Sequence, residues 1–164
     1  MSVILGIDPG LASTGFGLVK EEGGELTLLS YGVIKTSPTR KVPDRLFVIY
    51  TKLHEIFEKY DIDQVSVEKI FFNTNLKTVV NVSEARGVAM LVISEFGKEI
   101  FEYTPLEAKK ALIGNGRASK RDVQFAVQRI LNMKKKPTPD DAADGIALAL
   151  CHIYTLPYIR SIEA

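Results

Sequence analysis

At 164 residues, with 46% hydrophobic and 25% charged side chains, the chain is long enough to bury a real core and too apolar to remain disordered. Its one cysteine, Cys151, excludes an internal disulfide framework and a cysteine-built metal cluster, and suits a reducing compartment. A net charge of +1 by itself says nothing about a polyanionic partner.

The N-terminal stretch reads MSVILGIDPGLASTGFG. Val3 to Ile7 is a short apolar run closed by Asp8 and the turn residues Pro9 and Gly10, the pattern of a strand covered on both faces. Asp8 either opens that turn, bonding the backbone two residues on, or serves as an acid at the sheet edge; this stretch alone leaves both readings open. No basic leader precedes the run, and no stretch of about 18 apolar residues occurs, so a cytoplasmic protein without a membrane span is expected.

Phe16 to Lys20 reads as a second strand, Glu21-Glu22-Gly23-Gly24 as a turn, and Leu26 to Lys35 as a third strand, which makes a meander. After Pro43, the spacing of Leu46, Ile49, Tyr50, Leu53, Ile56, Phe57 and Tyr60 draws one apolar stripe along a helix. Val65 and Val67 belong to a fourth strand ending near Glu68. Val79 to Phe96 reads as a second helix and Glu99 to Tyr103 as a last short strand. Three helix starts follow, at Thr104-Pro105-Leu106-Glu107, Ser119-Lys120-Arg121-Asp122 and Thr138-Pro139-Asp140-Asp141, each with Ser or Thr three residues before an acid, the pattern of a capping box. The expectation is an α/β fold: one domain over residues 1–164, a mixed five-stranded sheet with helices on both faces, and strands one and four parallel neighbours.

That arrangement would bring Asp8 and Glu68 together at the carboxyl edge of the sheet, where open α/β sheets bind ligands. Asp141 and Asp144 are three apart and share a helix face, while Ala142, Ala143, Ala147 and Ala149 are small enough for that helix to approach closely. Carboxylates about 4 Å apart repel by roughly 4 kcal/mol at an effective dielectric near 20, so a cluster of four needs cations, and Mg²⁺ is the natural filling. Plainer readings exist: Asp141 falls at the third position of a capping box, and Glu68 could end a strand in solvent. Asp144, a turn further into the helix and beside alanines, has no such explanation.

The charge is segregated. Nine basic residues (Lys109, Lys110, Arg117, Lys120, Arg121, Arg129, Lys134, Lys135, Lys136) face one acid, Asp122, between positions 109 and 136. The other twelve of 21 basic residues are spread among nineteen of the 20 acids. One basic face on an otherwise acidic protein suits a polyanion. His54 and His152 lie on helical stretches without a partner at helical spacing and read as structural.

Taken in order, ILGIDPGLASTGFG, VSVEKIFF, EARGVA and DDAADGIALALCH resemble the motifs of the RuvC family of Holliday junction resolvases, within the ribonuclease H-like nucleases, across nearly the whole chain. The resemblance implies that Asp8, Glu68, Asp141 and Asp144 are the catalytic, metal-binding acids. The third is a histidine in some members, so Asp141 implies the all-carboxylate version. It also implies a homodimer, Mg²⁺ dependence with two ions per site and Mn²⁺ as a substitute, products with 5′-phosphate and 3′-hydroxyl ends, and partnership with the branch-migration proteins RuvA and RuvB. Phe71 would match an aromatic that stacks on a base near the crossover, Phe72 being its neighbour on the opposite face. Lys109 and Lys120 match lysines that contact DNA near the cut, and Arg117, Arg121 and, more weakly, Arg86 are further DNA-contact candidates. The rival readings are a monomeric ribonuclease H acting on RNA–DNA hybrids, a sugar-kinase type ATPase for which the chain is too short, and a junction-binding protein without activity, which would be expected to lack an acid.

Overall fold

The structure, a computed structural model, describes the backbone of residues 1–70 and 76–163 and the side chains of residues 1–70 and 79–157. A five-stranded sheet forms its centre, built from β1 (Ser2–Asp8), β2 (Ser13–Glu22), β3 (Glu25–Lys35), β4 (Gln64–Glu68) and β5 (Glu99–Tyr103). The spatial order is β3-β2-β1-β4-β5. Pairing is antiparallel across β1–β2 and β2–β3 and parallel across β1–β4 and β4–β5, so the sheet is mixed as the sequence indicates.

Alternation along β1 divides the core. Val3, Leu5 and Ile7 point to one face and pack with α1 (Val42–Lys59) and α2 (Leu76–Glu95), joining Ile49, Leu53, Phe57, Ala89 and Ile93. Ile4 points the other way and packs with Ile146, Ala149 and Leu150 of α5 (Asp140–Glu163) and Val123 and Val127 of α4 (Lys120–Ile130). Beyond them α3 (Pro105–Ile113) adds Ala108 beside Tyr103 and Cys151. The apolar stripe expected on α1 is the face that packs on the sheet, with Leu46, Tyr50, Ile56 and Tyr60 flanking its three buried residues.

The parallel register of β1 and β4 has a local lock. Asp63 Oδ2 accepts from the Val3 amide at 2.6 Å, and the Asp63 amide donates to the Val3 carbonyl at 2.9 Å. Ile7 is thereby paired with Val67, and the residues after them, Asp8 and Glu68, emerge together at the carboxyl edge.

Two of the three expected capping boxes form in full. Thr104 and Ser119 each accept from the amide of the third helical residue, while Glu107 and Asp122 return bonds to the cap amides. The third does not begin where expected. α5 starts at Asp140, after a cis Thr138–Pro139 peptide, so Asp141 is the second residue of the helix and not the third position of a box opened by Thr138. β2 is also longer than expected, starting at Ser13, because the small residues of Ser13-Thr14-Gly15 pair with β3, and Gly15 with Asp8 of β1 as well, despite lacking apolar bulk.

Gly15 explains how α5 reaches the acid edge. It is the register partner of Asp8, and a methyl group there would meet the Asp141 main chain, coming within 2.5 Å of its carbonyl carbon. Gly6 lies in the same way under the Gly145 carbonyl. Strand glycines on one side and buried Ala142, Ala143, Ala147 and Ala149 on the other let the helix lie directly on the sheet.

Candidate active site

Asp8 from β1 and Asp141 and Asp144 from the first turns of α5 are brought together. One carboxylate oxygen of each lies within 4.8 Å of the others, and each residue is only partly exposed. Glu68 is outside this triple but hydrogen-bonded to Asp8 from the neighbouring strand. All four acids named from the sequence therefore occupy one edge of the sheet.

Burial sets the electrostatics. It pushes the Asp8 carboxyl up from 3.8 to about 9, with the hydrogen bond to Glu68 and the charges of Glu68 and Asp141 adding to the rise and Lys120 opposing it. Asp144 is raised to about 6, again mainly by burial and then by the Asp8 charge. Lys120 is shifted upward by the charge of Asp144, and its Nζ lies 3.5 Å from Asp144 Oδ2. Buried carboxylates gathered this closely make a pocket that a divalent cation would fill, and an all-oxygen donor set suits a hard ion such as Mg²⁺.

These acids open on a cleft of about 240 Å³ in which Asp8, Glu68 and Asp144 face Lys109 of α3 and Lys120 of α4, with Val123, Ala147 and Leu148 as apolar wall. The capping box at Ser119 fixes the start of α4 and so the position of Lys120.

The other sequence candidates are dispersed. Arg121 is exposed on the first turn of α4, and Arg117 lies in the loop before it, its amide held by the Asn115 side chain. Arg86 on α2 forms an ion pair with Glu102 of β5, its side chain only 19% exposed. Phe71 and Phe72 lie outside the described residues. The two histidines do have partners. His54 faces Glu58 one turn along α1, a spacing visible in the sequence, at 3.6 Å, and meets the Phe96 ring edge-on. His152 is fully buried between Tyr103, 2.8 Å from Nδ1, and Gln64, 3.1 Å from Nε2. Sequence reasoning missed two features of the site, the pairing of Lys120 with Asp144 and the part played by Gly15. The alternating glycines of Thr14-Gly15-Phe16-Gly17 were the available signal for the second.

A mixed sheet of this order with an acidic cluster at the end of its central strand defines a ribonuclease H-like nuclease fold. The family model described as crossover junction endodeoxyribonuclease RuvC matches residues 4–152. A crossover junction endodeoxyribonuclease RuvC of Alkaliphilus oremlandii is 49% identical over 153 residues, covering 93% of each chain. One of Alkaliphilus metalliredigens is 48% identical over the same length and coverage. The solved Thermus thermophilus RuvC in complex with a Holliday junction substrate superposes with a TM-score of 0.90 at 33% identity, covering 98% of this chain and 96% of that one. The chain belongs to the RuvC family of crossover junction endodeoxyribonucleases.

Proposed function

We propose that this protein resolves four-way DNA junctions as a homodimeric, Mg²⁺-dependent endonuclease, each subunit nicking one of two equivalent strands. The observation that carries this reading is the cluster of Asp8, Asp141 and Asp144 oxygens within 4.8 Å, with Glu68 bonded to Asp8, at the mouth of a cleft bearing two lysines. Asp8, Glu68, Asp141 and Asp144 would hold the metal. The chemistry a bound pair of ions supplies is activation of the attacking water and neutralisation of the departing 3′ oxygen. Lys120, drawn to Asp144 while no DNA is present, turns to the scissile phosphate with Lys109 and offsets its charge, and the amides at the start of α4 face the same anion. Cleavage leaves 5′-phosphate and 3′-hydroxyl ends.

Two-fold symmetry in the substrate calls for two equivalent active sites, which a dimer of this chain supplies. Val80, Glu84, Gly87 and Leu91 form the outward face of α2, with Val80 and Leu91 about half exposed, and this face is our candidate for the dimer contact. Among the described residues no helix is long and apolar enough to cross a membrane. We place the activity in the cytoplasm, as one nuclease domain over residues 1–164, with RuvA and RuvB as partners, Mn²⁺ able to replace Mg²⁺, Arg117 and Arg121 on junction phosphates, Phe71 against a base near the crossover, and Arg86 chiefly holding α2 to β5.

The test is incubation of purified protein with a mobile four-way junction, with and without Mg²⁺, mapping nicks on all strands. Paired symmetric nicks that need the metal are expected. Single unpaired nicks, or cleavage of an RNA–DNA duplex in preference to the junction, would favour the ribonuclease H reading and refute this one.

A further inference from the structure

Helix α4 buries Val123 and Val127 and turns Arg121, Phe125 and Arg129 outward, four residues apart, as one exposed stripe. Phe125 is 50% exposed. Its ring is flanked by the Arg129 guanidinium at 5.7 Å and by the Lys136 ammonium, from the segment after the helix, at 5.9 Å. Lys134 and Lys135 beside it are exposed as well. Among the described residues none of Arg121, Arg129, Lys134, Lys135 or Lys136 forms an ion pair. The neighbouring acids are already engaged: Asp122 closes the Ser119 cap, and Asp140 accepts from Gln124 Nε2 at 2.7 Å. Two like charges are therefore gathered over one aromatic ring with no anion between them, an arrangement that awaits an anionic ligand.

We propose that this surface is a phosphate clamp for a duplex arm of the junction, in which Phe125 is a positioning residue that holds Arg129 and Lys136 toward the DNA backbone. The proposal rests on the junction-resolving reading above and extends the DNA-binding surface away from the cleft. The helix itself makes the connection. It starts at Lys120, whose Nζ is 3.5 Å from Asp144. With a rise of about 1.5 Å per residue, Arg129 lies roughly 14 Å further along the helix, a span equal to about four nucleotide steps of a duplex. Continuity with the cleft that takes the scissile phosphate argues for DNA as the occupant, ahead of an acidic protein surface.

The test measures junction binding in EDTA over a salt series. Replacing both cations, Arg129→Ala with Lys136→Ala, is expected to lower the slope of log affinity against log salt by about 1.8, at roughly 0.9 for each phosphate that is no longer neutralised. Neutral methylphosphonate linkages three to five nucleotides from the nick should weaken binding by the wild type and leave the double variant unaffected. Phe125→Leu keeps apolar bulk but loses the ring, so it should reproduce part of the loss, and Phe125→Trp should restore it. An unchanged slope, or methylphosphonates that weaken both proteins equally, would overturn the clamp. An acidic protein as the true occupant would give that same unchanged slope. If the double variant fails to fold, the methylphosphonate series on the wild type decides alone, no loss at those linkages being the contrary result. Mg²⁺-dependent nicking by the wild type in the same preparation separates failure of the clamp from failure of the functional reading.

Discussion

Asp8 is under opposing demands. Burial at the end of β1 and a hydrogen bond to Glu68 favour its neutral form, whereas metal binding needs the carboxylate. In the absence of metal, its folded pKa of about 9 lies far above the ordinary 3.8, and that of Asp144 reaches about 6. Between these limits the folded protein binds more protons than the unfolded chain, so stability falls as pH rises, first through the Asp144 window and then on toward 9. We expect the Tm in EDTA to drop from about pH 5 to about pH 9, and Mg²⁺ to recover most of the loss at the alkaline end. Asp8→Asn removes the larger of the two windows. It should raise the Tm of the metal-free protein at about pH 8 while reducing cleavage roughly 1,000-fold or more and leaving junction binding nearly intact, since site charge is held at a cost in stability. Retained cleavage in that variant would remove Asp8 from the chemistry. Asp8, Glu68 and Asp144 stood out in the sequence because each interrupts an apolar pattern, the first two closing buried strands and the third standing among alanines; Asp141 did not, since its position is also that of a cap acid. The pairing of Lys120 with Asp144 was not legible, because it joins residues 24 apart on different helices.

At the level of elements, the placement of α5 decides whether the acids meet. Asp141 and Asp144 are fixed by the helix start, and the helix is fixed by its contact with glycines of β1 and β2. Gly15→Ala should therefore displace the Asp141 end of α5 without altering an acid, at a cost of about 1–3 kcal/mol for overpacking. We expect roughly a tenfold loss of cleavage or more, with a measurable fall in Tm; full activity would show that the approach is looser than the backbone implies. Capping is more local. Ser119→Ala removes the hydroxyl that accepts from the Asp122 amide and donates to its carboxylate at the start of α4, costs about 1 kcal/mol, and should lower cleavage more than Thr104→Ala because Lys120 follows it directly. The strand and helix succession, the apolar stripe of α1 and two capping boxes could be read from local chemistry. The start of α5 could not, since Thr138-Pro139-Asp140-Asp141 carries the same residue pattern as a real box and only the backbone path distinguishes it. The early start of β2 was hidden for a related reason: its small residues serve α5 and add no apolar signal.

Over the whole molecule, the sheet separates two jobs. One face, covered by α1 and α2, holds the larger aliphatic and aromatic core and leaves Val80 and Leu91 outward. The other, covered by α3, α4 and α5, carries the acids and the basic segment from Lys109 to Lys136. A dimer formed through α2 would leave the cleft of each subunit open to DNA. Leu91→Asp should therefore shift the protein to monomer by sedimentation while preserving metal binding, and paired nicking should become single. All of this chemistry depends on the four acids forming one metal site. Titration of Mn²⁺ into ¹⁵N-labelled protein tests this directly, through paramagnetic broadening of amide signals. It should appear first at Asp8, Glu68, Asp141, Asp144 and their neighbours, and be lost in Asp8→Asn. Broadening centred elsewhere, or unchanged in that variant, would contradict it.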